Sequence, residues 1–243
     1  MEAEARRPYA LLESGKDALG RAYLRTGDYE AVAVLLERAL SAARDVGDVR
    51  AEAGALAQQG MLLHYRAIEL SVEERATVDP APERELFERA LAIRREVDDP
   101  EGIAESLFQL GLVHQVLERD MGSGAPLFRD ALSLVETVPH ADPLLRSEIH
   151  RHVGFDLLLR EKRYHEALHH LQASLELRTH VAERGWQVSG LVALSLGLRV
   201  SGARADAIEH ARRALELARE EGLRERHFAA SEDALRAAEA MPS

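Results

Sequence analysis

Residues Leu19–Leu40 read LGRAYLRTGDYEAVAVLLERAL, and this stretch spells out one helical hairpin. Leu19, Gly20 and Tyr23 fall on a first helix. Gly27-Asp28-Tyr29 turns the chain. Leu35, Leu36, Ala39 and Leu40 then recur at helical spacing on one face of a second helix. Neither helix can bury its apolar stripe alone, so the hairpin requires neighbours of its own kind.

The rest of the chain supplies them. Asp48 precedes Gly60 by twelve residues, Asp99 precedes Gly111 by twelve, Asp142 precedes Gly154 by twelve, and Pro8 stands twelve before Gly20. Each Asp or Pro is placed to start a first helix, and each Gly to let the second helix approach closely. A matching small residue lies late in each second helix: Ala39, Ala90, Ala131, Ser174 and Ala214, at intervals of 51, 41, 43 and 40. The period of about 40 defines five hairpins, near 8–47, 48–98, 99–141, 142–182 and 183–222. Residues 223–240 read as a single polar-faced helix that caps the last apolar surface.

The copies differ from one another in two places. The second carries an extra segment at 69–82, ELSVEERATVDPAP. An extension of the first helix to about Thr77, followed by a turn at Asp79–Pro82, preserves the packing register; a loop or lid is the other reading. The third has Met121-Gly122-Ser123-Gly124 where the Gly-x-Tyr turn belongs, and it is expected to turn the chain there. It lacks the Lys-Ser/Thr of a phosphate loop and joins two helices.

These motifs resemble the tetratricopeptide repeat: a Leu-Gly pair, a tyrosine three residues on, a Gly-x-Tyr turn, then an apolar residue before Ala-Leu. The long period resembles the subclass found in kinesin light chains, bacterial peptide-sensing regulators and large actinobacterial signalling proteins. The resemblance covers residues 8–222. It implies an all-α right-handed superhelical solenoid in one domain, whose concave groove is lined by the first helices.

Carried onto this chain, the family's lining positions fall six and three residues before the small residue and one, four and five after it. They give Ser14, Asp17, Arg21 and Arg25 in the first copy, and Met61, His64 and Tyr65 in the second. The third gives Glu105, Phe108, Leu112, Gln115 and Val116. The fourth gives Glu148, Arg151, Phe155, Leu158 and Leu159, and the fifth Ser189, Val192, Leu196, Arg199 and Val200. An apolar and aromatic groove with few polar groups suits a partner protein or peptide, either helical or extended. The same residues could instead pack against the final helix or the 69–82 segment.

Composition narrows the function. The 243 residues carry a formal net charge of −11, which argues against nucleic acid as the partner. There is no cysteine for a disulfide or thiolate metal site. No apolar run reaches membrane-spanning length, and MEAEARRPYA does not read as a signal peptide. Only Lys16 and Lys162 of the 31 basic residues are lysine. A GC-rich bacterial genome accounts for that bias, and a bacterial cytoplasm is the expected location. No cofactor is implied.

The sharpest chemical motif is His165-Glu166-Ala167-Leu168-His169, which matches the zinc-binding H-E-x-x-H pattern. The same residues also fill the family's Tyr-x-Glu-Ala-Leu turn at Tyr164–Leu168, so neither catalytic nor metal ligand residues are assigned from them. His150, His152, His169 and His170 concentrate histidine in the fourth copy, where a metal or acid–base site is the alternative to a polar helix surface. His152 stands four residues before Asp156 and could pair with it. His114 takes the place of Tyr23 and reads as a packed core histidine. Trp186 reads as a packing anchor. A groove-binding adaptor or regulator is the leading reading; a small-molecule or metal site in the central groove, and self-association into a homodimer, are the others.

Overall fold

The computed structural model describes residues 2–242, and side chains from Arg7 onward. Among the described residues every regular element is helical. The chain divides into two compact units, Met1–Val138 and Pro139–Ser243.

The first unit contains three hairpins. Helix α1 (Glu2–Arg21), finished by a π-helical turn at Ala22–Thr26, packs on α2 (Tyr29–Val46). Helix α3 (Val49–Glu69) packs on α5 (Ala81–Glu96), with the short α4 (Val72–Arg75) between them in sequence. Helix α6 (Pro100–Leu112), with a π-turn at Val113–Leu117, packs on α7 (Met121–Val135). The second unit pairs α8 (Pro143–Phe155), with its π-turn at Asp156–Arg160, against α9 (Tyr164–Arg178). It then pairs α10 (Trp186–Val200) with α11 (Arg204–Glu220), and α12 (Glu225–Glu239) lies against both.

The twelve-residue interval has a direct physical basis. Asp48 and Asp99 accept from the backbone N–H of Ala51 and Gly102 at 3.0 and 3.1 Å, and Asp142 accepts from Leu144 at 2.8 Å, so each caps a first helix. At the other end of the interval, a Cβ on Gly60 would sit 2.3 Å from the Phe87 ring, and one on Gly111 would sit 2.5 Å from Phe128. A Cβ on Gly154 would meet Leu171 at 2.8 Å. The missing side chain is therefore what admits the facing aromatic or leucine. The small residues of the second helices, Ala39, Ala90, Ala131, Ser174 and Ala214, are all buried. The three π-turns each begin two residues after Gly20, Gly111 or Gly154, and close through Gly27, Glu118 and Glu161 N–H bonds to Ala22, Val113 and Asp156 carbonyls.

Three local expectations give way. Pro8 does not begin α1 but lies inside it. The segment after α3 is not a helix to Thr77. Ser71 and Glu74 form a capping box that starts α4, and a helix cannot be both continued and freshly capped at one residue. Arg75 then donates to the freed carbonyls of Ala67, Ile68 and Leu70, closing α3 at Glu69. Finally, Met121–Gly124 is the first turn of α7, because Asp120 accepts from Ser123 N–H and caps it there. Gly124 packs on the backbone of α6, where a Cβ would stand 2.9 Å from the Gly111 carbonyl.

Candidate functional site: the first-helix faces

Within the first unit, α1, α3 and α6 lie side by side. Of the positions the repeat pattern assigns to the groove, Met61, Phe108 and Leu112 are buried. Phe108 meets Phe128 of α7 with ring centroids 5.8 Å apart, so it holds the hairpin together. His64 is buried as well, its Nδ1 2.9 Å from the equally buried Glu83 carboxylate of α5. What remains half-exposed on this face is Tyr65, Glu105, Gln115 and Val116. Tyr65 stacks on Tyr23 at 4.4 Å, joining α1 to α3 through an aromatic pair.

Glu105 is the polar centre of this face. It accepts from the Arg94 guanidinium and, at 3.1 and 3.3 Å, from the side-chain amides of Gln58 and Gln109. Burial pushes its carboxyl up, but the charges of Arg94 and Lys16 and these hydrogen bonds outweigh that and hold it below the usual range.

The second unit repeats the arrangement. Glu148 on α8 accepts from Arg151 on the same helix and from Arg178 at the end of α9. Burial again raises the carboxyl, and Arg151, Arg178 and His152 together drive it far below the ordinary carboxylate range. Arg178 is fully buried and reaches across to α10, donating to the Trp186 carbonyl at 2.7 Å and the Ser189 hydroxyl at 2.9 Å. Arg151 lies over the Phe155 ring at 5.5 Å. Leu158 is buried, Leu159 is exposed, and Phe155, Val192, Leu196, Arg199 and Val200 are half-exposed. Val192, Leu196 and Arg199 form one strip along α10. Arg199 makes no side-chain hydrogen bond or ion pair among the described residues.

The groove positions therefore sort into two kinds, core residues and half-exposed ones. Arg94 and Arg178 were missed by the pattern, yet they occupy equivalent places, four residues after Ala90 and Ser174. Each faces a glycine on the next first helix, Gly102 for Arg94 and Gly190 for Arg178, that leaves room for the guanidinium stem. Each pairs with a glutamate six residues before a repeat glycine, Glu105 or Glu148. The signal was there as a spacing between three residue types.

The histidines have other partners. His165 and His169 are exposed, and Glu166 is gripped by Arg163 through both oxygens. Among the described residues no three His, Asp or Glu converge to hold a metal ion. His152 sits edge-on to Phe155, and Asp156 takes a bidentate bond from Arg160. Arg160 lies one helical turn beyond Asp156 and brings a permanent charge to it. His114 is half-exposed rather than core, its Nδ1 2.6 Å from Glu118. Trp186 is buried.

The tetratricopeptide repeat family matches residues 17–50, the stretch containing the α1–α2 turn. BtubC (BKLC) from P. vanneervenii has a similar structure, with a TM-score of 0.58 at 16% identity over 89% of this chain and 85% of that one. A chain described as a Podosopora anserina kinesin light chain with nearly identical TPR-like repeats gives 0.51 at 14% identity, over 90% and 96%. No curated protein matches the sequence. The fold is one of TPR-like helical repeats, and residues 17–50 carry the repeat's own sequence pattern. No described helix is long and apolar enough to cross a membrane.

Proposed function

We propose that this protein is a binding module of a bacterial cytoplasm, an adaptor or regulator that docks a segment of a partner protein on its first-helix faces. The observation that carries this reading is the composition of what stays accessible there. Tyr65 in the first unit, and Phe155, Val192, Leu196 and Arg199 in the second, are half-exposed aromatic, apolar and cationic groups beside a set of salt bridges already satisfied within the protein. Such a surface offers apolar anchors and, at Arg199, an uncommitted positive charge. It suits a partner segment bearing a bulky apolar residue and a carboxylate. The net charge of −11 disfavours nucleic acid, and the near-absence of lysine fits a GC-rich bacterial source.

The test is native mass spectrometry of the protein isolated from its own cells at low salt, followed by two variants. Arg199→Glu changes an accessible charge and leaves the core alone, whereas Tyr65→Ala also gives up the stack on Tyr23, so each is read beside far-UV circular dichroism: the polypeptide adduct is lost while the helical spectrum is kept. An adduct retained by both variants overturns the placement of the site. Phe108→Ala is unsuitable as a probe, because Phe108 packs on Phe128 and its loss would unsettle α6 and α7.

A further inference from the structure

A second site is written into the fourth hairpin, away from the docking face and independent of it. Arg146 and His150 stand one turn apart on α8, and His170 and His169 face them from α9. The Nε of Arg146 is buried without a hydrogen-bond partner, and the side chain makes no ion pair among the described residues. Arg146 as a whole is half-exposed, whereas the buried Arg94 and Arg178 each hold a glutamate. Arg146 holds none, and its neighbours are histidines. The nearest acid on α9, Glu166, lies a turn before His170 and is engaged by Arg163.

His150 Nδ1 lies 2.9 Å from His170 Nδ1, and the ring centroids are 5.2 Å apart. The centroid distance is close to the nitrogen separation plus the two ring radii, so the nitrogens point straight at each other. That is the geometry of one imidazole N–H donating to the other. A shared metal ion would need both lone pairs turned toward a common third point, and a positive guanidinium alongside opposes a cation further. The groups bearing on His150 are His170, Arg146 and His169, all cationic or able to become so; burial foremost, then these, push its pKa down to about 4.

We propose that Arg146, His150 and His170, with His169 at the rim, form a binding site for a small oxyanion, a phosphoryl or carboxylate group. The outer guanidinium nitrogens of Arg146 and the Nε2 edges of two imidazoles supply donors from two helices, and an anion supplies the counter-charge Arg146 lacks. Binding brings protons with it. An anion beside His150 favours its charged form, so the site takes up a proton as it fills and releases the anion as pH rises.

The experiment uses the full chain with sodium sulfate and sodium acetate as probes, at ionic strength fixed with chloride, read by NMR of the histidine side chains. Expected are saturable shifts at His150 and His170 but not at His180 or His210, absent in Arg146→Met and weakened in Arg146→Lys. Because Arg146 has no partner, the methionine variant removes no bond and should fold. Saturation by sulfate alone identifies a phosphoryl-type ligand; saturation by acetate as well identifies a carboxylate. Sulfate keeps its charge across the range, so a His150 midpoint raised from about 4 by the bound anion makes binding severalfold tighter at pH 5 than at pH 8. Linear shifts shared by all histidines, shifts unchanged in Arg146→Met, or saturable binding of zinc or nickel at His150 and His170 would each overturn the assignment.

Discussion

The carboxylate of Glu148 takes Arg178 on one oxygen and Arg151 on the other, and only the second of these guanidiniums can be reached by solvent. Removing the buried partner is therefore the harsher change. Arg178→Met takes one donor from the Trp186 carbonyl, which still accepts from Ser189, removes the donor to the Ser189 hydroxyl, and leaves half of the Glu148 charge unmatched. It should cost roughly 3 kcal/mol of stability in urea unfolding. Glu166→Gln breaks an ion pair whose members are both about half exposed, 52% each, and should leave the urea midpoint almost unchanged. Equal effects would show that burial does not set the strength of these pairs. Arg178 also marks a limit of reading sequence by residue type. Arginine is usually a surface residue, and only its spacing to Ser174, Glu148 and Gly190 sets it apart from the exposed Arg163.

Among the elements, the regular hairpins were legible because each rule they obey is local. An Asp cap, a glycine twelve residues later and a small residue in the second helix are visible in any copy, and the same contacts recur at Gly60, Gly111 and Gly154. The segment after α3 was not legible from periodicity, since both a long helix and a broken one keep the downstream register. The choice is made by Ser71 and Glu74, a capping box, and by Arg75, whose guanidinium is worth more on three freed carbonyls than in solvent. Ser71→Ala should lose about 1 kcal/mol locally. Hydrogen exchange at residues 67–76 would quicken while α6 keeps its protection, since Gly111 and Phe128 are untouched. The Arg119 bond to the Val72 carbonyl, at 2.6 Å, adds a tether from the turn before α7, so Arg119→Ala should quicken exchange in the same stretch. Unchanged exchange in both variants would mean that α4 is held by something other than its cap and this tether.

At the scale of the whole molecule, the acid response gathers these sites into one curve. Two half-buried glutamates, Glu105 and Glu148, and the buried His150 have depressed pKa values in the folded protein. For the two glutamates the folded state favours the charged form, so their contribution is present above the usual carboxylate pKa and is lost as pH falls below it. For His150 the folded state favours the neutral form. The unfolded chain binds the proton first, near pH 6.5, and the folded protein only near 4. Stability therefore falls as pH drops from about 6.5 to about 4, by up to about 3 kcal/mol from this one residue. The glutamates add a second, steeper loss below that. Urea unfolding measured from pH 8 to pH 3 should show both steps in the natural protein. His150→Gln, which cannot take up the proton, should lower the plateau through its lost bond to His170 but flatten the first step and leave the second. Saturating sulfate should flatten the first step in the natural protein alone, by stabilising the protonated form that otherwise unfolds it. If the first step survives in His150→Gln, the proton is taken up elsewhere, and the fourth hairpin is not where this molecule senses mild acid.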